Sequence, residues 1–153
     1  DAVPVENMLQ LDRWIVARTA QLQQDIIAAY LAAFNRGDWP GMLALLTDDV
    51  VHEINQGGVE QGKPAFAAFL DRMAQCYREE LHDIVIMAGP DGARAAAEFR
   101  VEGQYLAADP GLPPAHGQRY SLPAGAFYTL RDGKISRVCV FYNLRDWIAQ
   151  VAA

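Results

Sequence analysis

AAAEFRVEGQY, residues 95–105, decides how the second half of the chain is read. Its odd-numbered positions carry Ala97, Phe99, Val101 and Tyr105, with Gly103 among them; its even-numbered positions carry Glu98, Arg100, Glu102 and Gln104. Strand side chains point alternately to opposite faces, so one face is apolar and the other sets Arg100 between two carboxylates. Two registers follow from this pattern. In one, the charged face is solvated and its ion pairs contribute little. In the other it turns inward, and Arg100 and Glu102 meet in a pocket.

The same period of two runs through LHDIVIMA (81–88), RYSLPAGAFYTL (119–130) and KISRVCVFYN (134–143). Pro90-Asp91-Gly92 and Asp132-Gly133 carry turn chemistry and should close two hairpins. The stretch from Ala107 to Gln118 holds Pro110, Pro113 and Pro114. A loop this long in a compact domain is usually functional or disordered, so it is expected to border a cavity mouth.

Upstream the period is helical. Leu22, Ile26, Ile27, Tyr30, Leu31 and Phe34 follow one helix face, within a helix expected over residues 5–36 that stops at Gly37. The apolar part before Arg18 (Leu11, Trp14, Ile15, Val16) leaves a second reading open, a separate helix broken near the polar run Arg18 to Gln24. Asp38 suits the cap of a short helix with Pro40 in its first turn. Val50 to Asn55 reads as a strand and Gln56 to Gly62 as a glycine-rich loop. Pro64 opens a third helix whose stripe is Phe66, Phe69, Leu70, Met73 and Tyr77. Asn143 with Asp146 caps a last helix through Trp147 and Val151. The order implies an α+β fold: a cone-shaped, curved antiparallel sheet with helices packed on its concave face. We expect a single domain over 1–153 with an N-terminal helical extension of about residues 1–20.

The chain has 153 residues, is 52% hydrophobic and carries a net charge of −6. Its 13 basic residues are scattered, so neither a nucleic acid nor an anionic membrane is an expected partner. Cys76 and Cys139 lack metal-ligand spacing and read as free core thiols in a reducing compartment. No apolar run is long enough to span a bilayer and no signal-peptide pattern is read, so a cytoplasmic location is the expectation. No metal, phosphate-binding or dinucleotide motif is present, and we expect no cofactor.

YLAAFNRGDWPGMLALLTDDVVHE, from Tyr30 to Glu53, resembles the opening of ketosteroid isomerases and the wider nuclear transport factor 2-like superfamily. RDGKISRVCVFYNLRDW, from Arg131 to Trp147, resembles the last hairpin of SnoaL-like cyclases and limonene epoxide hydrolases. By resemblance to the isomerases, Tyr30 takes the place of a tyrosine donating to the developing enolate. The general-base aspartate falls on Ile54 and the protonated acid of the oxyanion hole on Gly125, so that machinery is incomplete. By resemblance to the epoxide hydrolases, Arg-x-Asp falls on Arg100 and Glu102, the second aspartate on Val140 and the water-positioning tyrosine on His52. What remains is a partial set of Tyr30, His52, Arg100 and Glu102, with Tyr142, Val140 and Ile54 as substrate contacts.

His52 alternates with Val50 and Ile54, which fits either a hydrogen-bonded core residue or a catalytic base. Two functions follow. One is a cofactor-independent enzyme moving protons on a small hydrophobic carbonyl compound: an isomerase, cyclase or dehydratase, with epoxide hydrolysis as a minor branch. Glu102 or His52 would be the base, Arg100 the orienting cation and Tyr30 the oxyanion donor. The alternative is a non-catalytic small-molecule-binding or dimerisation module. With the charged face inward, Phe99, Val101, Tyr105, Cys139 and Phe141 would form an exposed apolar patch, so a homodimer through that face is expected.

Overall fold

The computed structural model describes residues 4–153; the first three positions of the expected extension lie outside them. Helix α1 runs from Val5 to Arg36, α2 from Trp39 to Ala44 and α3 from Lys63 to Cys76, with α4 from Leu144 to Val151. The strands are β1 (Leu46–Glu53), β2 (Val59–Gln61), β3 (Tyr77–Ala88), β4 (Arg94–Tyr105), β5 (Arg119–Arg131) and β6 (Lys134–Tyr142). They form one six-stranded sheet in the order β2-β1-β6-β5-β4-β3. The architecture is the α+β curved sheet with helices, with one correction. β1 pairs parallel with β6, so the sheet is not wholly antiparallel.

Asp38 accepts from the Gly41 amide and Asn143 from the Asp146 amide, which makes both the N-caps their sequence suggests. Asp132 (φ 53) and Gly133 (φ 76) both take positive φ, as a tight turn between right-twisted strands requires. Other boundaries move. α1 is continuous through Arg18 to Gln24, because Val5 to Arg36 contains neither glycine nor proline and is rich in good helix formers. The expected glycine-rich loop contains β2, paired with β1. Tyr77, assigned to the third helix stripe, is extended and begins β3.

Burial settles the register of β4. Ala95, Ala97, Phe99, Val101 and Tyr105 are all buried, while Glu98, Arg100 and Glu102 are exposed. A one-residue slip would exchange the faces. It would forfeit about 1.5–3 kcal/mol for each large apolar side chain brought to water and bury three charges. The inward placement of Arg100 and Glu102 is therefore corrected.

β3 changes phase partway. Tyr77, Glu79 and Leu81 face inward, and then Asp83 (φ 54) and Ile84 together oppose Phe99. This bulge turns Val85 and Met87 outward. The free edge of β3 is closed by Asn35 of α1, whose amide donates to the Leu81 carbonyl (3.0 Å) and accepts from its amide (2.8 Å).

Candidate active site

The concave sheet face, α1, α3, α4 and the proline-rich loop enclose a cavity of about 490 Å³. Phe34, Phe69, Phe99, Val101 and Leu122 make most of its wall apolar, so any charge inside is poorly solvated. Asp109, Pro110 and Leu112 bring the loop into the same wall.

Two acid–tyrosine pairs stand in this wall. The Tyr120 hydroxyl donates to Glu79 Oε2 at 2.7 Å, and the Tyr77 hydroxyl donates to Asp109 Oδ2 at 2.8 Å. Burial pushes the Glu79 carboxyl above the usual range, while the Tyr120 bond pulls the other way. Glu79 is thus an acid whose proton is held more tightly than in water, the kind of perturbed carboxyl that proton-transfer sites use. Burial, together with Glu79 itself, pushes the Tyr120 phenol up, and Tyr77 rises by burial and its bond to Asp109. Tyr142 is raised first by burial, with the nearby Glu79 and Asp109 adding to it. All three phenols stay protonated donors. Trp147 of α4 packs its edge on Tyr77, Tyr105 and Tyr120, fixing where those rings stand.

His52 is only 4% exposed, its ring 4.7 Å from Phe66 and 4.5 Å from Phe69. Burial lowers its pKa to about 4, and its Nδ1 has no hydrogen-bond partner. It is neutral at pH 7. Because the unfolded imidazole titrates near 6.5, the unfolded chain binds the extra proton first as pH falls. Stability due to this residue is full above about 6.5 and lost progressively down to about 4. The loss amounts to about 3 kcal/mol. Urea unfolding of the wild type and His52→Leu across that range should show it as a wild-type acid limb that the variant lacks. Parallel curves would refute it.

Comparison with known proteins places this geometry. The sequence profile of the SnoaL-like domain matches residues 27–138, nearly three quarters of the chain. The chain belongs to the SnoaL-like domain family. A solved structure of a proposed polyketide cyclase from Pseudomonas putida is 60% identical, covering 82% of this chain and 95% of that one, with a TM-score of 0.81. Another from a Silicibacter species is 57% identical over 88% and 98% of the two chains, TM-score 0.86. An epoxide hydrolase/cyclase-like enzyme of polyether salinomycin formation is 25% identical over 82% of this chain and 94% of its own, TM-score 0.66. Among curated proteins, a 30-residue stretch is 63% identical to isoleucine–tRNA ligase of Shewanella baltica, 20% of this chain and 3% of that enzyme. The chain therefore spans 3% of the curated relatives it matches.

In this SnoaL-like domain the cavity collects Tyr30, His52, Ile54, Val140 and Tyr142. Tyr30 lies edge-on to Tyr128 at 5.8 Å, and burial raises its phenol well above the ordinary value. Arg100 and Glu102 are not there. On the outer face Arg100 Nε donates to Ser121 Oγ (2.9 Å), which donates to Glu102 Oε1 (2.7 Å). Both side chains are nearly half exposed, so Glu102 and Arg100 do not meet the cavity as the expected base and orienting cation. Glu102→Gln should accordingly shift stability by no more than about 1 kcal/mol and leave activity intact; a loss of turnover would reopen its role. Gly125 also belongs to the outer face, in the row Glu98, Gly125, Phe141.

Sequence reasoning missed Glu79, Tyr120, Tyr77 and Asp109. Starting β3 at Leu81 left Glu79 outside any strand, as one more charge in Arg78-Glu79-Glu80. The available signal was the alternation Tyr77, Glu79, Leu81, which continues the strand in phase. Asn55, expected as the last residue of a strand, lies just past β1 and ties its end to β6 by donating to the Tyr142 carbonyl at 3.1 Å. Among the described residues no three His, Cys, Asp or Glu side chains gather as metal ligands, and no helix is long and apolar enough to cross a membrane.

Proposed function

We propose that this SnoaL-like domain is a cofactor-independent enzyme of cyclase or isomerase type, acting on a small, mostly apolar carbonyl compound. The observation that carries the reading is Glu79: a carboxyl bonded to Tyr120 in an apolar cavity, with its proton affinity raised by burial. The similarity to proposed polyketide cyclases supports the same reaction class. Glu79 as carboxylate takes a proton from the carbon beside a carbonyl. The C–H electron pair moves to the carbonyl oxygen as an enolate, and the Tyr142 hydroxyl stabilises the charge by donating to it. Returning the proton to another carbon completes an isomerisation. Attack of the enolate carbon on a second carbonyl closes a ring, and the new alkoxide takes the proton from Glu79. Arg100 and Glu102, the pair assigned to the minor epoxide branch, lie on the outer face and take no part in the proposed step.

The test uses β-tetralone, a neutral bicyclic ketone, in deuterium oxide, with loss of its α-proton signals followed by NMR. Exchange above the buffer rate, rising with pH as Glu79 ionises, is expected. Binding without exchange would leave a carrier of small molecules instead.

The homodimer remains part of this proposal, with its surface reassigned. Phe99, Val101 and Tyr105 face inward and Cys139 is covered. The outer face instead offers Val85, Met87, Phe127 and Phe141, each about half exposed, with the two phenyl rings 5.8 Å apart. Phe127→Glu should yield a monomer in sedimentation; a wild type already monomeric at micromolar concentration would remove the dimer.

A further inference from the structure

Glu79 and Tyr120 are bonded although they sit on strands that do not touch. β3 pairs with β4 and β4 with β5, and Glu79, Gly103 and Tyr120 are direct cross-strand partners in one inward-facing row. For Tyr120 to reach Glu79, its ring must lie across the middle position. A Cβ built on Gly103 would overlap Cζ and Cε2 of Tyr120 and stand 2.5 Å from its Oη. The ring occupies the space a side chain would fill, and the Trp147 edge at 5.7 Å leaves it little freedom to move aside. Gly103 shows no positive φ, so backbone conformation does not demand glycine here. The close approach of the tyrosine does.

We propose that Gly103 is a positioning residue of the active site, a gap in the β4 wall that lets Tyr120 cross the strand and hold the Glu79 carboxyl. The inference rests on the reading of Glu79 as the proton-transferring group. With Tyr120 taking Oε2, the carboxyl is held in one orientation and Oε1 remains for a bound molecule. Without the gap, any L side chain at position 103 displaces the ring, and Glu79 loses both its orientation and the bond that favours its charged form. The other titratable or charged groups in this cavity are Tyr30 on α1, Tyr77 on β3, Tyr128 on β5, Tyr142 on β6, His52 on β1, Arg72 on α3 and Asp109 on the loop. None of them is a cross-strand neighbour of Gly103.

The experiment follows the Glu79 carboxyl carbon by NMR against pH in the full chain, assigned by its disappearance in Glu79→Gln. In Tyr120→Phe the midpoint should move to higher pH, because the bond to the charged form is gone. Gly103→Ala should move it in the same direction, with β-tetralone exchange at neutral pH falling by about tenfold to a hundredfold. A Gly103→Ala protein whose Glu79 midpoint stays at the wild-type value would overturn the proposal. Should Gly103→Ala fail to fold, Gly103→Ala/Tyr120→Leu lacks the overlapping ring and should fold like Tyr120→Leu alone. A double variant as unfolded as Gly103→Ala would equally overturn it. The titration needs no substrate, so an inactive wild type would sink the functional reading while still deciding the role of Gly103.

Discussion

Glu79→Gln is expected to slow proton exchange on β-tetralone by about two to four orders of magnitude, the usual worth of a general base. Glutamine keeps the size of the side chain, and its amide oxygen still accepts from Tyr120, so the cavity keeps its shape. Ligand affinity should therefore stay within a few fold. Stability moves the other way from activity. A buried carboxyl with a raised pKa keeps its proton in the folded state after the unfolded state has lost it. Rising pH above the ordinary carboxylate range then favours unfolding, and the glutamine variant escapes that penalty. Its melting temperature at pH 7 should equal or exceed the wild type. A variant with full exchange activity would remove Glu79 from the mechanism.

Tyr105→Ala should cost about 3–5 kcal/mol, the range for deleting a large buried aromatic, and lower the melting temperature by roughly 10 °C. Tyr105 is fully buried, stacked on Tyr77 at 5.5 Å and met edge-on by Trp147 at 4.9 Å. It also ties down the proline-rich loop. Its hydroxyl donates to the Pro113 carbonyl (2.7 Å) and accepts from the Asp109 amide (2.9 Å). Its backbone amide donates to the Gln118 carbonyl, and its carbonyl accepts from the Gly117 amide. Tyr105→Phe keeps the packing but strands two loop groups, a loss of about 1–3 kcal/mol. That variant should also loosen Asp109 from Tyr77 and change which ketones bind. Urea titrations of both variants give the two numbers, and an alanine variant within 1 kcal/mol of wild type would show that the loop and α4 hold without it.

Local chemistry was legible wherever neighbours in the chain decide it. Asp38 and Asn143 as caps, Asp132-Gly133 as a turn, the helical stripe ending at Gly37 and the strands after residue 80 all depend on groups a few residues apart. Residue types near one another suffice to read them. The resemblance carried by Tyr30–Glu53 and Arg131–Trp147 then pointed to the fold, and it brought Tyr30, His52, Ile54, Val140 and Tyr142 into one wall.

Which face of β4 looks inward is a different kind of question. A period of two distinguishes two faces but is symmetric between them, so the Glu98–Arg100–Glu102 side was as eligible for the pocket as the Phe99–Val101–Tyr105 side. Only packing against α1 and α4 breaks that symmetry, through the cost of burying three charges and exposing the aromatic side chains. The bulge at Asp83 makes the same point within one strand, since it reverses the facing of β3 where the alternation gives no warning. Glu79 is held in the cavity wall by Tyr120, which reaches it over Gly103, three residues on three strands, 24 and 17 positions apart along the chain. No local pattern records such a row. Chain chemistry determined the elements and their ends; the pairing of strands determined which carboxylate meets the cavity, because desolvation acts only once the layers have closed.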